Sequence, residues 1–255
     1  MSEDFGIALS GGGALGAAHL GVLKRLEEVD INPTHIAGTS IGALVGALRA
    51  FGWSSDSITD CLRDLTWFDV SRLTASPLGA LRNDPLGAKV KDALGDARIE
   101  DAETSLTIVA TDIACGQAVH LRHGSVAQAV MASACLPGAY VPVAWEDQLL
   151  VDGALVENVP VEAIRKSGAQ KVIAVDLLST RQATRPENAL EVLMNTLDFA
   201  VRGLSDTTES SATITIRPDL SSFHFLDVDH FDAVRQAGYE AALEQWPKKT
   251  AQTEV

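Results

Sequence analysis

Nowhere in the 255 residues does an apolar run approach the roughly eighteen that a bilayer-spanning helix needs. The opening Met1-Ser2-Glu3-Asp4 is acidic and lacks the basic start and apolar run of a secretory signal. Cysteine is scarce: Cys61, Cys115 and Cys135 form no C-x-x-C pair, and an odd count without a scaffold pattern excludes a disulfide framework. Reduced thiols and a cytoplasmic location are the expectation. Basic residues are few as well. Twenty Lys and Arg against 34 Asp and Glu leave a net charge of −14, which argues against nucleic acid and against a stably bound anionic membrane surface. Internal repeats, low-complexity tracts and long linkers are absent too. What remains is 46% hydrophobic with a mean hydropathy of +0.12, enough to build an ample core.

Glycine, by contrast, is concentrated early in the chain. Phe5-Gly6-Ile7-Ala8-Leu9-Ser10 reads as a buried strand, and Gly11-Gly12-Gly13-Ala14-Leu15-Gly16 follows at once. A helix then starts, with Leu15, Val22, Leu23 and Leu26 on one face and Lys24, Arg25, Glu27 and Glu28 on the other. Three consecutive glycines between strand and helix leave backbone N–H groups uncovered by any Cβ at the positive end of the helix dipole, where an anion is held. Gly11, Gly13 and Gly16 also satisfy the dinucleotide pattern G-x-G-x-x-G. That reading requires a carboxylate about 20 positions on, where this chain has Gly38-Thr39-Ser40. A phosphate-binding P-loop is excluded because no Gly-Lys-Ser/Thr follows. A structural turn that binds nothing remains the bland alternative.

Gly38-Thr39-Ser40-Ile41-Gly42 fits G-x-S-x-G, the pattern of a serine on a sharp strand-to-helix turn. Apolar His35-Ile36-Ala37 precedes it and Ala43 to Leu48 follows as a buried helix. Gly38 and Gly42 give the turn its room, and the upstream glycine amides would serve this serine as an oxyanion hole. Beyond it, strands are expected at Leu106 to Thr111, Ala118 to Arg122, Gln148 to Val151, Lys171 to Val175 and Ala212 to Ile216. Helices are expected at Ser55 to Leu65, Pro85 to Leu94, Val126 to Ala134, Val161 to Ser167, Glu187 to Ser205 and Phe231 to Trp246. Such alternation implies a mainly parallel sheet covered on both faces. Trp67 to Asp84 is the least regular stretch and is read as a mobile cap near a site. Residues 1–246 form one domain, and 247–255 a frayed polar tail. The apolar stripe of Glu187 to Ser205 is read as core.

A serine hydroxyl needs a base. Ser40, Asp152 and His224 or His230 meet the chain order Ser…Asp…His of α/β-hydrolases. In those enzymes, however, several strands precede the elbow, whereas one strand and one helix fit before Ser40. Asp152 is the better candidate: Leu149-Leu150-Val151 is a short apolar strand whose tip carries the carboxylate, and Gly153 permits a sharp turn behind it. Burial there would raise its basicity toward that of a general base. An ordinary Asp-Gly turn is the competing reading.

Glycine loop, serine elbow and a distant Asp-Gly-Ala, in that order, resemble the patatin-like phospholipase family. The likeness continues through Ala110-Thr111-Asp112, Ala132 to Gly138, Val151 to Pro160, Ile173 to Asp176, Ile216 to Asp219 and Ala237-Gly238-Tyr239. The resemblance implies a three-layer α/β/α sandwich with a mainly parallel central sheet. It also implies a lipid acyl hydrolase without cofactor or metal, in which Ser40 is the nucleophile, Asp152 its base, and the amides of Gly11, Gly12 and Gly13 the oxyanion hole. A lipid or other acyl ester would be the substrate, with transient contact at a membrane interface. Leu15 stands where the family's loop usually carries Arg or Lys, so a phosphate contact is not implied at that position. A non-catalytic ligand-binding domain of the same fold is the alternative from another class.

Overall fold

The computed structural model describes residues 5–180, 211–225 and 228–246, together with 185, 186, 192, 193, 195, 196, 199 and 201. Most of the helix expected over Glu187 to Ser205, and the tail 247–255, lie outside the described residues. The chain opens with β1 (Phe5–Leu9), α1 (Ala17–Glu28), β2 (His35–Thr39), α2 (Ile41–Ala50) and α3 (Ser55–Leu62). A ribbon of β3 (Arg72–Ser76) and β4 (Gly79–Arg82) leads to α4 (Asp84–Leu94), β5 (Ser105–Asp112), β6 (Gln117–Leu121) and α5 (Val126–Ser133). There follow β7 (Val143–Trp145), β8 (Gln148–Asp152), α6 (Ala154–Glu157), α7 (Val161–Ser167), β9 (Lys171–Val175), β10 (Ile214–Ile216) and α8 (Phe231–Gln245).

The main sheet runs β10-β9-β1-β2-β5-β8-β7, with β6 also on β5. From β10 to β5 every pairing is parallel, while β6 and β8 meet β5 antiparallel and β7 meets β8 antiparallel. The sheet is therefore mixed and mostly parallel, as the alternating β and α pattern predicts. Its central strands are apolar at nearly every position because both faces are covered. Successive side chains point to opposite faces. Ile7, Leu9, Ile36, Ile108, Ile173 and Val175 join one core with α1, α2 and α5. Their neighbours Ala8, Ala37, Val109, Val172 and Ala174 join a second core with Val161, Ala163 and Ile164 of α7.

The stretch expected to be an irregular cap instead forms a 3-10 turn, Trp67–Val70, and the two-stranded ribbon β3–β4. Thr66 and Asp69 close a capping box over the turn, with the Thr66 amide donating to Asp69 Oδ2 at 2.9 Å. No position in either ribbon strand is fully buried. The sequence therefore carries no alternation that would reveal the ribbon. Its exposed positions include Leu73, 82% exposed, beside Phe68 in the turn at 89%.

Candidate active site

Strand register alone draws the expected site together. Leu9 pairs with Gly38 and with Val175, Thr39 with Val109, and Ala110 with Asp152. Continuing the same registers, Gly11 falls level with Ser40, and Ser40 with Ala110, whose partner is Asp152, so the three stand at one height along the edge where the parallel strands end. Residues 40 and 152 are 112 positions apart in sequence, yet only β5 separates their strands.

Ser40 is the N-cap of α2 and holds φ 54°, ψ −120°. A positive φ in a residue with a Cβ costs on the order of 1–3 kcal/mol and persists only where the surroundings impose it. Those surroundings are specific. The Ser40 amide donates to Ser133 Oγ at 2.8 Å, and Ser133 Oγ–H donates to Val109 O at 2.6 Å. Thr39 Oγ1 donates to Glu157 O at 3.0 Å, tying the elbow to α6. The glycines on either side of Ser40 allow backbone to touch backbone: a Cβ on Gly38 would lie 2.2 Å from Gly42 O, and one on Gly42 2.2 Å from Leu9 O. Gly153 serves the same purpose behind Asp152, since a Cβ there would lie 2.4 Å from Val109 O.

Asp152 is buried, lines both cavities of the site together with Ser40, and has its carboxyl close enough to the Ser40 hydroxyl to be influenced by it. Burial is the dominant influence on it and pushes its pKa up to about 6; the Ala154 amide, donating to Oδ1 at 2.9 Å, and the Ser40 hydroxyl hold it back from rising further. The backbone is anchored as well, through Asp152 N–H to Cys135 O at 2.9 Å and Thr111 Oγ1–H to Asp152 O at 2.9 Å. Cys135 beside it has its thiol pushed up to about 12, by burial first and then by the Asp152 charge, so it is no rival nucleophile.

The three loop glycines differ from one another. The Gly11 amide donates to Asn158 Oδ1 at 3.2 Å. No hydrogen bond to the amides of Gly12 and Gly13 is formed among the described residues. Gly13 is left-handed at φ 56°, packed against the Phe225 ring. Leu15, at the position where the resembling family's loop usually carries Arg or Lys, is fully buried in the core.

Two cavities meet at Ser40 and Asp152. The larger, about 160 Å³, is lined mainly by apolar side chains including Leu44, Leu65, Val70, Leu86, Leu136, Tyr140 and Phe225. The smaller, about 50 Å³, passes Gly11, Gly12, Asn158 and Leu178. Val70 and Thr66 place the 3-10 turn at the wall of the larger one, so the Trp67 to Asp84 stretch does border the site. His224 and His230 are exposed and line neither cavity. In the sequence, Ser133 belongs only to the Ala132 to Gly138 segment that resembles the family. Its role in holding the serine amide has no sequence signal, because it depends on the last residue of α5 meeting the Ser40 amide, 93 positions earlier in the chain.

The pattern of the family described as patatin-like phospholipase matches residues 7–165. An uncharacterized NTE family protein of Mycobacterium tuberculosis is 32% identical over 214 residues, covering 83% of this chain and 59% of that protein. A putative patatin-like phospholipase domain-containing protein of Caenorhabditis elegans is 38% identical over 182 residues, covering 68% of this chain and 16% of that protein. The chain thus spans about three fifths of the length of the mycobacterial relative. Among solved structures, VipD from Legionella pneumophila superposes with a TM-score of 0.67 at 14% identity, over 96% of this chain and 66% of that one. The full-length SpcU–ExoU complex of Pseudomonas aeruginosa gives a TM-score of 0.53 at 15% identity, over 95% and 52%. At such identities the likeness is one of fold.

Proposed function

This chain belongs to the patatin-like phospholipase family, and from that premise we propose that it is a serine-dependent lipid acyl hydrolase working through a Ser40–Asp152 dyad. The observation that carries the reading is the buried carboxyl of Asp152 beside Ser40, whose backbone is held at positive φ, both lining one apolar cavity. With a pKa near 6, Asp152 is ionised at neutral pH yet basic enough to accept a proton. It takes the Ser40 proton as Oγ attacks the ester carbonyl, and the negative charge moves to the carbonyl oxygen. Unpartnered amides of the glycine loop receive that charge, each worth about 3–4 kcal/mol where such donors have been removed. Asp152 then returns the proton to the departing alkoxide. The acyl-enzyme is hydrolysed by a water that the same carboxylate deprotonates.

The apolar lining of the larger cavity suits an acyl chain. With Leu15 in the core rather than a cation on the loop, nothing at that position favours a phosphate, and the reading extends to neutral esters. A transient contact with a lipid surface is part of the proposal. Exposed Phe68 and Leu73 lie two and three residues along the chain from Val70 of the cavity wall, and residues 67–82 carry only Arg72, Arg82 and Asp69 as charges in a chain of net −14. Three unpaired thiols favour a cytoplasmic setting.

The test is hydrolysis of a chromogenic acyl ester by wild type, Ser40→Ala and Asp152→Asn, with fluorophosphonate labelling as a second readout. Both variants are expected to lose turnover while remaining folded, and only proteins with Ser40 should label. Full activity in either variant would sink the dyad. Absence of labelling in folded wild type would favour a ligand-binding domain. Turnover abolished by replacing His224 and His230 with Gln would restore the triad.

A further inference from the structure

The glycine loop is held by the side chains of Ser10, His19 and Asn158. Each peptide unit is planar and trans, so its C=O and N–H point in opposite directions and fixing one aims the other. In the Ser10–Gly11 unit both ends are occupied. His19 Nε2 lies 2.8 Å from Ser10 O, and Gly11 N–H donates to Asn158 Oδ1 at 3.2 Å. In the next unit, Gly11–Gly12, the carbonyl accepts from Ser10 Oγ at 3.0 Å. Ser10 Oγ in turn accepts from the Leu177 amide at 3.1 Å, which commits its own proton to Gly11 O. With Gly11 O tied inward, the Gly12 N–H is turned outward, and Gly12 lines the smaller cavity with Ser40 and Asp152.

We propose that Ser10, His19 and Asn158 are positioning residues that clamp the loop so that Gly12 presents its amide to the oxyanion while the Gly11 amide is withdrawn from that role. The inference rests on the Ser40–Asp152 reading and sharpens it, reducing the working donors from three glycines to Gly12 and Gly13.

The polar atoms left over support the clamp. His19 and Asn158 are both buried, and each satisfies only the atom that meets the loop: His19 Nδ1 and Asn158 Nδ2 have no hydrogen-bond partner among the described residues. A buried polar side chain kept half-satisfied costs stability, and such groups call for a reason outside folding. The tautomer is consistent with the geometry. Burial pushes the His19 pKa down to about 4, so the ring is neutral and its single N–H sits on Nε2 to donate to Ser10 O. The carboxamide orientation of Asn158 is likewise fixed, because Gly11 N–H requires an acceptor.

The experiment compares Asn158→Ala, Ser10→Ala, His19→Leu and His19→Gln with wild type on a soluble acyl ester. It also measures inhibition by an acyl trifluoromethyl ketone, which forms a charged adduct resembling the oxyanion. Removing one clamp leaves the donor present but misaimed. Asn158→Ala, Ser10→Ala and His19→Leu should lower kcat by about 10- to 100-fold, less than the loss of a whole donor, with KM within about threefold. The ketone should weaken in parallel. His19→Gln keeps a donor for Ser10 O and should recover most of the loss. Unchanged or raised kcat in Asn158→Ala would overturn the clamp, since that variant frees the Gly11 amide. So would a loss seen only in KM, or a fall in kcat with ketone affinity intact. Should His19→Leu fail to fold, Asn158→Ala and Ser10→Ala still decide the matter. Wild-type turnover that does not depend on Ser40 would instead refute the dyad itself, a distinct outcome.

Discussion

Replacing Asp152 by Asn should stabilise the protein while abolishing its chemistry. Asparagine has nearly the same shape, keeps an acceptor for the Ala154 amide and offers its NH2 to Ser40 Oγ, so the only large change is removal of a buried charge. Its magnitude follows from the displaced titration. Burial moves the Asp152 carboxyl from 3.8 to about 6, and each pH unit between folded and unfolded values is worth about 1.36 kcal/mol, giving roughly 3 kcal/mol at neutral pH. The sign is determined by which state loses its proton first. Below pH 4 the carboxyl is protonated folded or unfolded, and wild type carries no penalty. Between about 4 and 6 the unfolded chain ionises and the folded one does not, so wild type loses stability as pH rises. Above about 6 the penalty is complete. Urea titrations of both proteins at pH 4, 5, 6, 7 and 8 should therefore give midpoints that coincide at the acid end and separate by about 3 kcal/mol at pH 8, with equal slopes. In thermal scans near pH 8 the variant should melt roughly 6–12 °C higher. A gap independent of pH, or a variant less stable than wild type at pH 8, would refute the argument. In wild type the same titration should appear as an acid limb of kcat/KM with an apparent pKa near 6.

Three further outcomes follow from the geometry. Ser40→Gly should raise stability by about 1 kcal/mol, because glycine accepts φ 54° without strain; the denaturation midpoint reports it, and Ser40→Ala should not show the gain. Gly42→Ala should lower stability by about 2–4 kcal/mol, since its Cβ would lie 2.2 Å from Leu9 O and the elbow helix must move away from β1; a chemical denaturation curve and ester turnover should fall together. Phe68→Asp combined with Leu73→Asp should cut hydrolysis of vesicle-borne lipid by about tenfold and leave a soluble short-chain ester unaffected; equal effects on both would dismiss the lipid contact.

The glycine loop, the elbow and Asp152 are readable in the chain because each sits where a buried strand ends, and apolar runs followed by glycine mark such ends. The parallel sheet is readable for the same reason: β1, β2, β5 and β9 are apolar on both faces. The β3–β4 ribbon left no trace, having no buried face to impose a pattern. Ser10, His19, Ser133 and Asn158 could not be given roles from sequence, since their partners are carbonyls and amides, which every residue possesses. Sequence by itself therefore determined the fold class and the family, and singled out Ser40 and Asp152 as the candidate pair. Only the tertiary structure decided that these two line the same cavities, that burial raises the carboxyl, and that the three glycine amides are unequal. The physical reason is register: the heights of β1, β2, β5 and β8 relative to one another bring residues 11, 40 and 152 level, and hydrogen bonding across strands is a property of the folded sheet.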